Sequence, residues 1–307
     1  MGDAQPPSAP QTARLARLAL FALLSTIALL LLASLGLSHA YVKALTQPGC
    51  PDDRREPDHF GLTDFRHVEF TTSDGVTLSG WSVPGDNGAT IILLGGKGTR
   101  SAMLPEGAML ARHGYGLLLF DWRGCGGSQE VRHTLGYREA LDVMAAADFA
   151  LGESSSERIG VLGFSLGGAA AIRAAALHAG IDAVVAMGNY HDLEAEIRGA
   201  GDEHPVLSTI LENQIAWLFQ RETGVDFAKE PEPIEVVAQI SPRPVLLIFG
   251  ELEESLPPAS GRLLFQAAAH PKQLWIVPRV GHGGYFQAEP KEFERRVVSF
   301  FDSALLH

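Results

Sequence analysis

RIGVLGFSLGGAAAIRAAAL, residues 158–177, is the stretch whose reading decides the fold. Its first six residues form an apolar run of the buried-strand kind, and its last eleven, GGAAAIRAAAL, have the Ala- and Leu-rich composition of a helix. Between them stands Gly163-Phe164-Ser165-Leu166-Gly167, a G-x-S-x-G pattern. Alone the pattern is weak, because Gly and Ser are common; at a strand-to-helix turn it becomes specific for a nucleophile elbow. So tight a bend strains the backbone of its central residue. Strand and helix approach closely enough only if positions 163 and 167 carry no side chain. Ser165 then projects at a helix N-terminus, where the dipole favours developing negative charge.

Outward from this point, short strand-like runs alternate with helical ones. VEFTT and VTLSGWSV flank Ser73-Asp74-Gly75, the pattern of an antiparallel hairpin. Buried-strand runs follow at 90–94, 115–120, 182–187, 244–250 and 273–278, with helical stretches at 103–113, 136–151, 168–179, 261–269 and 290–306. This alternation predicts an α/β fold: a mostly parallel central sheet with helices on both faces. Functional groups gather beyond the carboxyl ends of such strands. Residues 189–241 are the exception, about fifty residues between two strands. They read either as a small helical lid insertion over the sheet edge or as a surface excursion carrying one crossover helix.

A serine hydroxyl needs a base beside it. Of the eleven histidines, His282 has the best setting: it follows the strand-like QLWIVP in a Gly-rich loop, PRVGHGG, that leaves room for its ring. It also lies C-terminal to the serine, as the chain order of this constellation requires. His113, His133, His191 and His204 lack such settings and read as surface or helix-end residues. The carboxylate that would orient His282 falls in the loop 251–257, ELEESLP, where Glu251, Glu253 and Glu254 compete; Asp192, after the preceding strand, is a further candidate.

In these residues the chain resembles the α/β-hydrolase superfamily, in particular its serine aminopeptidase-like and monoacylglycerol-lipase-like branch, which includes members with one N-terminal membrane span. The resemblance covers about 68–301. It rests on four motifs in order: Ser73-Asp74-Gly75-Val76-Thr77-Leu78, Asp121-Trp122-Arg123-Gly124-Cys125-Gly126-Gly127-Ser128, the elbow, and the Gly-His-Gly loop. It implies a serine hydrolase that cleaves carboxylic esters, with thioesters or peptide-like amides as further substrates, through an acyl-serine intermediate. No metal or organic cofactor is implied. The family's acid loop, G-x-x-D-x-x-V-P, sets Gly250, Leu256 and Pro257 in frame and puts the acid at Glu253, a Glu where Asp is usual. The family's His-Gly oxyanion loop is replaced by Gly95-Gly96-Lys97-Gly98. Backbone N–H groups still serve, with Leu166 giving one donor and Gly96–Lys97 the other; the Lys97 ammonium itself reads as a solvated charge. Residues 121–128 read as a structural turn. A catalytically silent binding domain on this fold, and an acyltransferase using the same triad, are the alternative readings.

At the front, residues 18–37 (LALFALLSTIALLLLASLGL) carry no charge and as a helix span about 30 Å, the thickness of a bilayer core. This predicts a transmembrane anchor at 18–42, with a short disordered tail at 1–17, a polar linker at 43–65 and the hydrolase domain at 66–307. A cleaved signal peptide ending at Ser38-His39-Ala40 is the rival; in both cases the catalytic domain is expected outside the cytoplasm. The net charge of −12 argues against nucleic acid, which needs a concentrated basic face, so the expected partners are the membrane and a small or lipid-like ester. Cys50 and Cys125 are too few for a disulfide framework and read as a linker thiol and a loop thiol, although a bridge between them is conceivable in an oxidising compartment.

Overall fold

The computed structural model describes residues 9–47, 49–50, 53–153, 156–199, 205–253 and 258–306. The Ser73-Asp74-Gly75 turn joins β1 (Arg66–Thr71) to β2 (Thr77–Val83) in an antiparallel pair. β1 alternates between exposed and buried residues because only one of its faces is covered. The strands β3 (Ala89–Leu94), β4 (Gly116–Phe120), β6 (Ala183–Met187) and β7 (Val245–Gly250) are buried throughout; β5 (Arg158–Phe164) is buried between its ends, and β8 (Lys272–Val277) is the half-covered edge. The eight strands lie in the order β1-β2-β4-β3-β5-β6-β7-β8, parallel from β4 to β8.

Successive side chains of a strand face opposite sides, so the sheet feeds two cores. Ile92, Leu94, Val161 and Val184 pack on one side with α3 (Glu139–Leu151), α4 (Leu166–Leu177) and the later α8 (Pro258–Ala267). Ile91, Leu93, Leu162 and Val185 pack on the other with α2 (Leu104–Ala111) and the C-terminal α10 (Pro290–Leu305). Phe293, Val297, Phe300 and Phe301 form the buried stripe of α10, the spacing of one helix face. The segment between β6 and β7 is helical, with α5 (Leu193–Gly199), α6 (Pro205–Thr223) and α7 (Pro233–Val236); the short α9 (Tyr285–Ala288) follows β8.

Three expectations change. The N-terminal helix α1 runs from Ala9 to Thr46, so residues 9–17 belong to a helix rather than to a disordered tail, and residues 43–46 belong to it rather than to a linker. Residues 1–8 lie outside the described ones. Its last turns dock on the domain: Ser38, Val42 and Thr46 are buried, and Gln214 of α6 hydrogen-bonds Ser34 and Ser38. The rest of the linker is also tied down, with Gly49 N–H on the Gly124 carbonyl and Pro57 buried. Finally, Cys50 and Cys125 are not separate thiols but a disulfide whose Cα atoms are 5.2 Å apart, within the usual range. The bridge spans 75 residues, and in the chain-entropy account a loop of that size is worth about 4 kcal/mol. Replacing both cysteines by serine is expected to lower the melting temperature by about 5–15 °C; an unchanged transition in calorimetry would show that the bridge constrains nothing.

Candidate active site

The site is built at the carboxyl ends of β5, β7 and β8. Where β5 turns into α4, Ser165 has φ 54° and ψ −118°, a conformation that side-chain-bearing residues rarely adopt. Two glycines make the turn possible. A Cβ on Gly163 would stand 2.3 Å from the Gly167 carbonyl oxygen, and one on Gly167 would stand 2.6 Å from those of Leu94 and Gly95. The Ser165 N–H, bonded to the Met187 carbonyl at 2.8 Å, pins the bend to β6.

The loop after β8 brings His282 over this serine. Its Nε2 lies 3.2 Å from Ser165 Oγ, and its ring rests against Phe164 with centroids 4.9 Å apart. The loop after β7 supplies Glu253, which is only 3% exposed, and Oε1 of Glu253 lies 2.6 Å from His282 Nδ1. Its other oxygen, Oε2, accepts from the Tyr285 hydroxyl at 3.1 Å and the Gly250 N–H at 3.2 Å. Burial and the Glu253 charge push the Tyr285 phenol far above its ordinary value, so it stays a donor. The rival carboxylates are engaged elsewhere. Glu251 Oε2 accepts the Arg279 N–H, and Asp192 Oδ1 accepts the Ala195 N–H at the start of α5. Glu254 lies outside the described residues. Serine, imidazole and carboxylate therefore form one hydrogen-bonded line, in which the ring can take a proton from the hydroxyl while Glu253 balances its charge.

The Gly95–Gly98 loop, expected to supply an oxyanion donor, is held by a group the motif reading passed over. The Trp122 indole N–H donates to the carbonyls of Gly95 and Gly96, at 3.3 and 3.0 Å. In a planar trans peptide the C=O of one residue and the N–H of the next point oppositely, so this clamp turns the Gly96 and Lys97 N–H groups away from the indole. The loop abuts the serine: a Cβ on Gly96 would lie 3.5 Å from Ser165 Cβ. Leu166, the first residue of α4, adds an N–H with no partner inside its helix. Lys97 is exposed, as expected, but it is also tied to the protein. Its ammonium donates to the Ala44 and Leu45 carbonyls, capping the C-terminus of α1.

The rest of the 121–128 turn is structural, as expected. Asp121 accepts the Arg100 and Gly127 N–H groups, and Arg123 pairs with Asp74 and Asp142. His133, expected at the surface, is instead fully buried between Cys125 and Glu139. His133 and the two cysteine sulfurs fall within metal-chelating distance of one another, but the sulfurs are bonded to each other.

Ser165 and His282 open on a cavity of about 430 Å³ whose apolar walls include Met103, Met187 and Phe286. Among the described residues none of its lining comes from the insertion, whose α6 lies instead against α1. Glu106 also lines it, and burial pushes this carboxyl up to about 7. A larger hollow of about 710 Å³ runs past Trp81 and Arg100, but there Arg55 pairs with Asp53 and Arg100 with Asp121, and no residue of the serine cluster lines it.

A mostly parallel sheet with a strained serine between strand and helix, facing a histidine from the last strand loop, defines the class of nucleophile-elbow α/β proteins. The comparisons with known proteins agree, and the chain belongs to the α/β-hydrolase fold family, whose profile matches residues 90–239. It is 32% identical over 240 residues to Rv2307c, an uncharacterized protein of Mycobacterium tuberculosis, an alignment that takes in 76% of each chain. The polyketide transferase GrgF of a Penicillium species is 24% identical over 280 residues, covering 76% of this chain and 94% of the relative. Among solved structures, the Pyrococcus furiosus esterase Pf2001 superposes with a TM-score of 0.70 at 26% identity, over 85% of this chain and 98% of the esterase.

Proposed function

We propose that the protein is a serine hydrolase that cleaves carboxylic esters, with thioesters or peptide-like amides as further substrates, through an acyl-serine intermediate. The observation that carries this reading is the hydrogen-bonded line from Ser165 Oγ through His282 to Glu253. Oγ attacks the ester carbonyl while Nε2 takes its proton, and the carbonyl oxygen becomes an oxyanion held by the N–H groups of Leu166 and of Gly96 or Lys97. Collapse expels the alcohol, which leaves with the proton from Nε2. Water, deprotonated by the same nitrogen, then releases the acid and restores the serine. The likeness to the Pyrococcus esterase supports an ester as the substrate.

An acyltransferase is the second reading, favoured by the relative named a polyketide transferase. It shares every step up to the acyl-serine and differs only in the acceptor. Incubating the protein with an ester and a panel of alcohols and amines separates the two: acid as the sole product supports hydrolysis, whereas transfer product in dilute aqueous acceptor supports the transferase. A silent fold would not label with a fluorophosphonate.

Helix α1 is long and apolar enough to cross a membrane, and in this reading it is an uncleaved anchor. Cleavage after Ala40 would discard Ser34 and Ser38, which α6 holds through Gln214. The Cys50–Cys125 bridge favours an oxidising compartment for the catalytic domain. The chain is therefore expected in the alkaline-carbonate-resistant membrane fraction, at full length.

The oxyanion loop offers a finer test. Trp122→Phe keeps an aromatic ring but removes the donor that turns the loop, and is expected to lower kcat by about 10- to 100-fold with KM little changed. Lys97→Met, which frees the loop from α1, is expected to lower kcat by about tenfold, with Lys97→Arg recovering most of it. Unaltered steady-state constants for both variants would mean that the loop needs no external support.

A further inference from the structure

Glu106 is a buried carboxyl that the reaction above does not use. It stands in the first turn of α2, one turn beyond Met103, and both residues line the cavity that holds Ser165 and His282. It is only 8% exposed, and among the described residues its buried Oε2 has no hydrogen-bond partner. The basic side chains around the cavity are committed elsewhere: the Lys97 ammonium to the end of α1, and the His282 imidazole to Ser165 and Glu253. The start of α2 favours negative charge through its dipole, but gives Oε2 no donor. A buried carboxyl oxygen left unpaired beside apolar side chains is costly. The neighbouring wall positions avoid that cost with Met103, Met187 and Phe286.

We propose that Glu106 is the specificity group of this cavity, and that the preferred ester carries, on the portion lodged there, a hydrogen-bond donor that docks on the Glu106 carboxyl. A hydroxyl or a protonated amine meets this requirement. The remainder of that portion lies on Met103, Phe164, Met187 and Phe286. The inference rests on the acyl-serine reading and adds to it the substrate class: esters that are mainly apolar but bear one donor at a distance from the scissile bond. Such a group completes the hydrogen bonding of Oε2, whereas a purely hydrocarbon chain leaves it buried and unmet. Sites built to bond a polar substrate group discriminate strongly against analogues lacking it.

The test uses the full-length protein in detergent and two matched ester series, one varied in the acyl part and one in the alcohol part. Each series ends in methyl, hydroxyl or amine at several chain lengths. The wild type is expected to favour a donor-bearing member over its methyl partner by about 10- to 100-fold in kcat/KM. Glu106→Leu should erase that preference while still cleaving the methyl-terminated esters. Glu106→Gln keeps a neutral partner, so a hydroxyl preference should survive it and an amine preference should fall; this identifies the donor. Fluorophosphonate labelling reports whether each variant is folded, and Glu106→Met, matching its neighbours, replaces Glu106→Leu if the latter does not label. Equal rates across both series in the wild type would overturn the inference, as would a preference that persists in a labelling-competent Glu106→Leu or Glu106→Met. A wild-type protein that neither labels nor cleaves any ester would overturn the acyl-serine reading itself, and this inference with it.

Discussion

Ser165→Ala is expected to lower kcat by about 10⁶ on the best ester of the wild-type protein, and to abolish fluorophosphonate labelling. The size of the effect follows from what the hydroxyl does. Without Oγ no acyl-serine forms, and water must attack the carbonyl directly, with only the backbone donors of Leu166 and the Gly96–Lys97 loop left to hold the oxyanion. Those donors and ground-state binding sustain a residual rate of about 10³–10⁴ over the uncatalysed reaction. His282→Ala should cost about as much, because an Oγ that keeps its proton is nearly as inert as a missing one. The double variant should then be no worse than either single one, since the two groups act as a unit. This non-additivity is the sharper measurement. Two independent contributions would multiply, and a double variant about 10¹² down, or a Ser165→Ala protein with wild-type turnover, would end the serine mechanism. The substitution removes one oxygen at a strained turn between Gly163 and Gly167, so the fold should be unharmed; circular dichroism and the melting transition check that directly.

What the chain alone makes legible depends on the range of each signal. The β5–Ser165–α4 unit was legible because strand, glycine-flanked turn and helix are contiguous. His282 was legible because its glycine-rich loop follows a clear strand. Trp122 was not. Inside a turn motif it looks structural, and the carbonyls it clamps lie 26 and 27 residues upstream, brought near only by the pairing of β3 with β4. The bonds of Lys97 are hidden for a similar reason: the carbonyls that hold it belong to the far end of α1, more than fifty residues away. The Cys50–Cys125 bridge depends on a linker that folds back on the domain, which composition does not encode. Glu106 reads as an ordinary charge in a helical stretch, and only the packing of α2 against the sheet makes it a buried group. The ends of α1 were missed because an apolar run marks what lipid can cover, while the helix itself continues through polar residues at both ends.

Glu253→Gln is expected to lower kcat by about 10⁴, and Glu251→Gln by less than about threefold. Three glutamates in the loop 251–257 share composition and near-identical positions, so the argument has to come from hydrogen bonds. Glu253 accepts on both oxygens: His282 Nδ1 at Oε1, and Tyr285 O–H and Gly250 N–H at Oε2. A glutamine amide cannot satisfy that set. If its oxygen keeps facing Nδ1, its NH₂ confronts the Gly250 N–H, donor against donor in a buried site. If it flips, the NH₂ donates to Nδ1, which must then be unprotonated. That tautomer places the ring proton on Nε2, so the ring donates to Ser165 Oγ instead of accepting from it, and the base is lost although every heavy atom stays in place. The imidazolium also loses the carboxylate that balances its charge in the transition state. Because the defect lies in the base rather than in binding, kcat should fall while KM changes little. Among the described residues the Glu251 carboxylate accepts the Arg279 backbone N–H and forms no hydrogen bond with His282, so its amide variant serves as the matched control from the same loop. The reverse pattern, a crippled Glu251→Gln beside a healthy Glu253→Gln, would move the acid to Glu251 and require the loop after β7 to rearrange in the working enzyme.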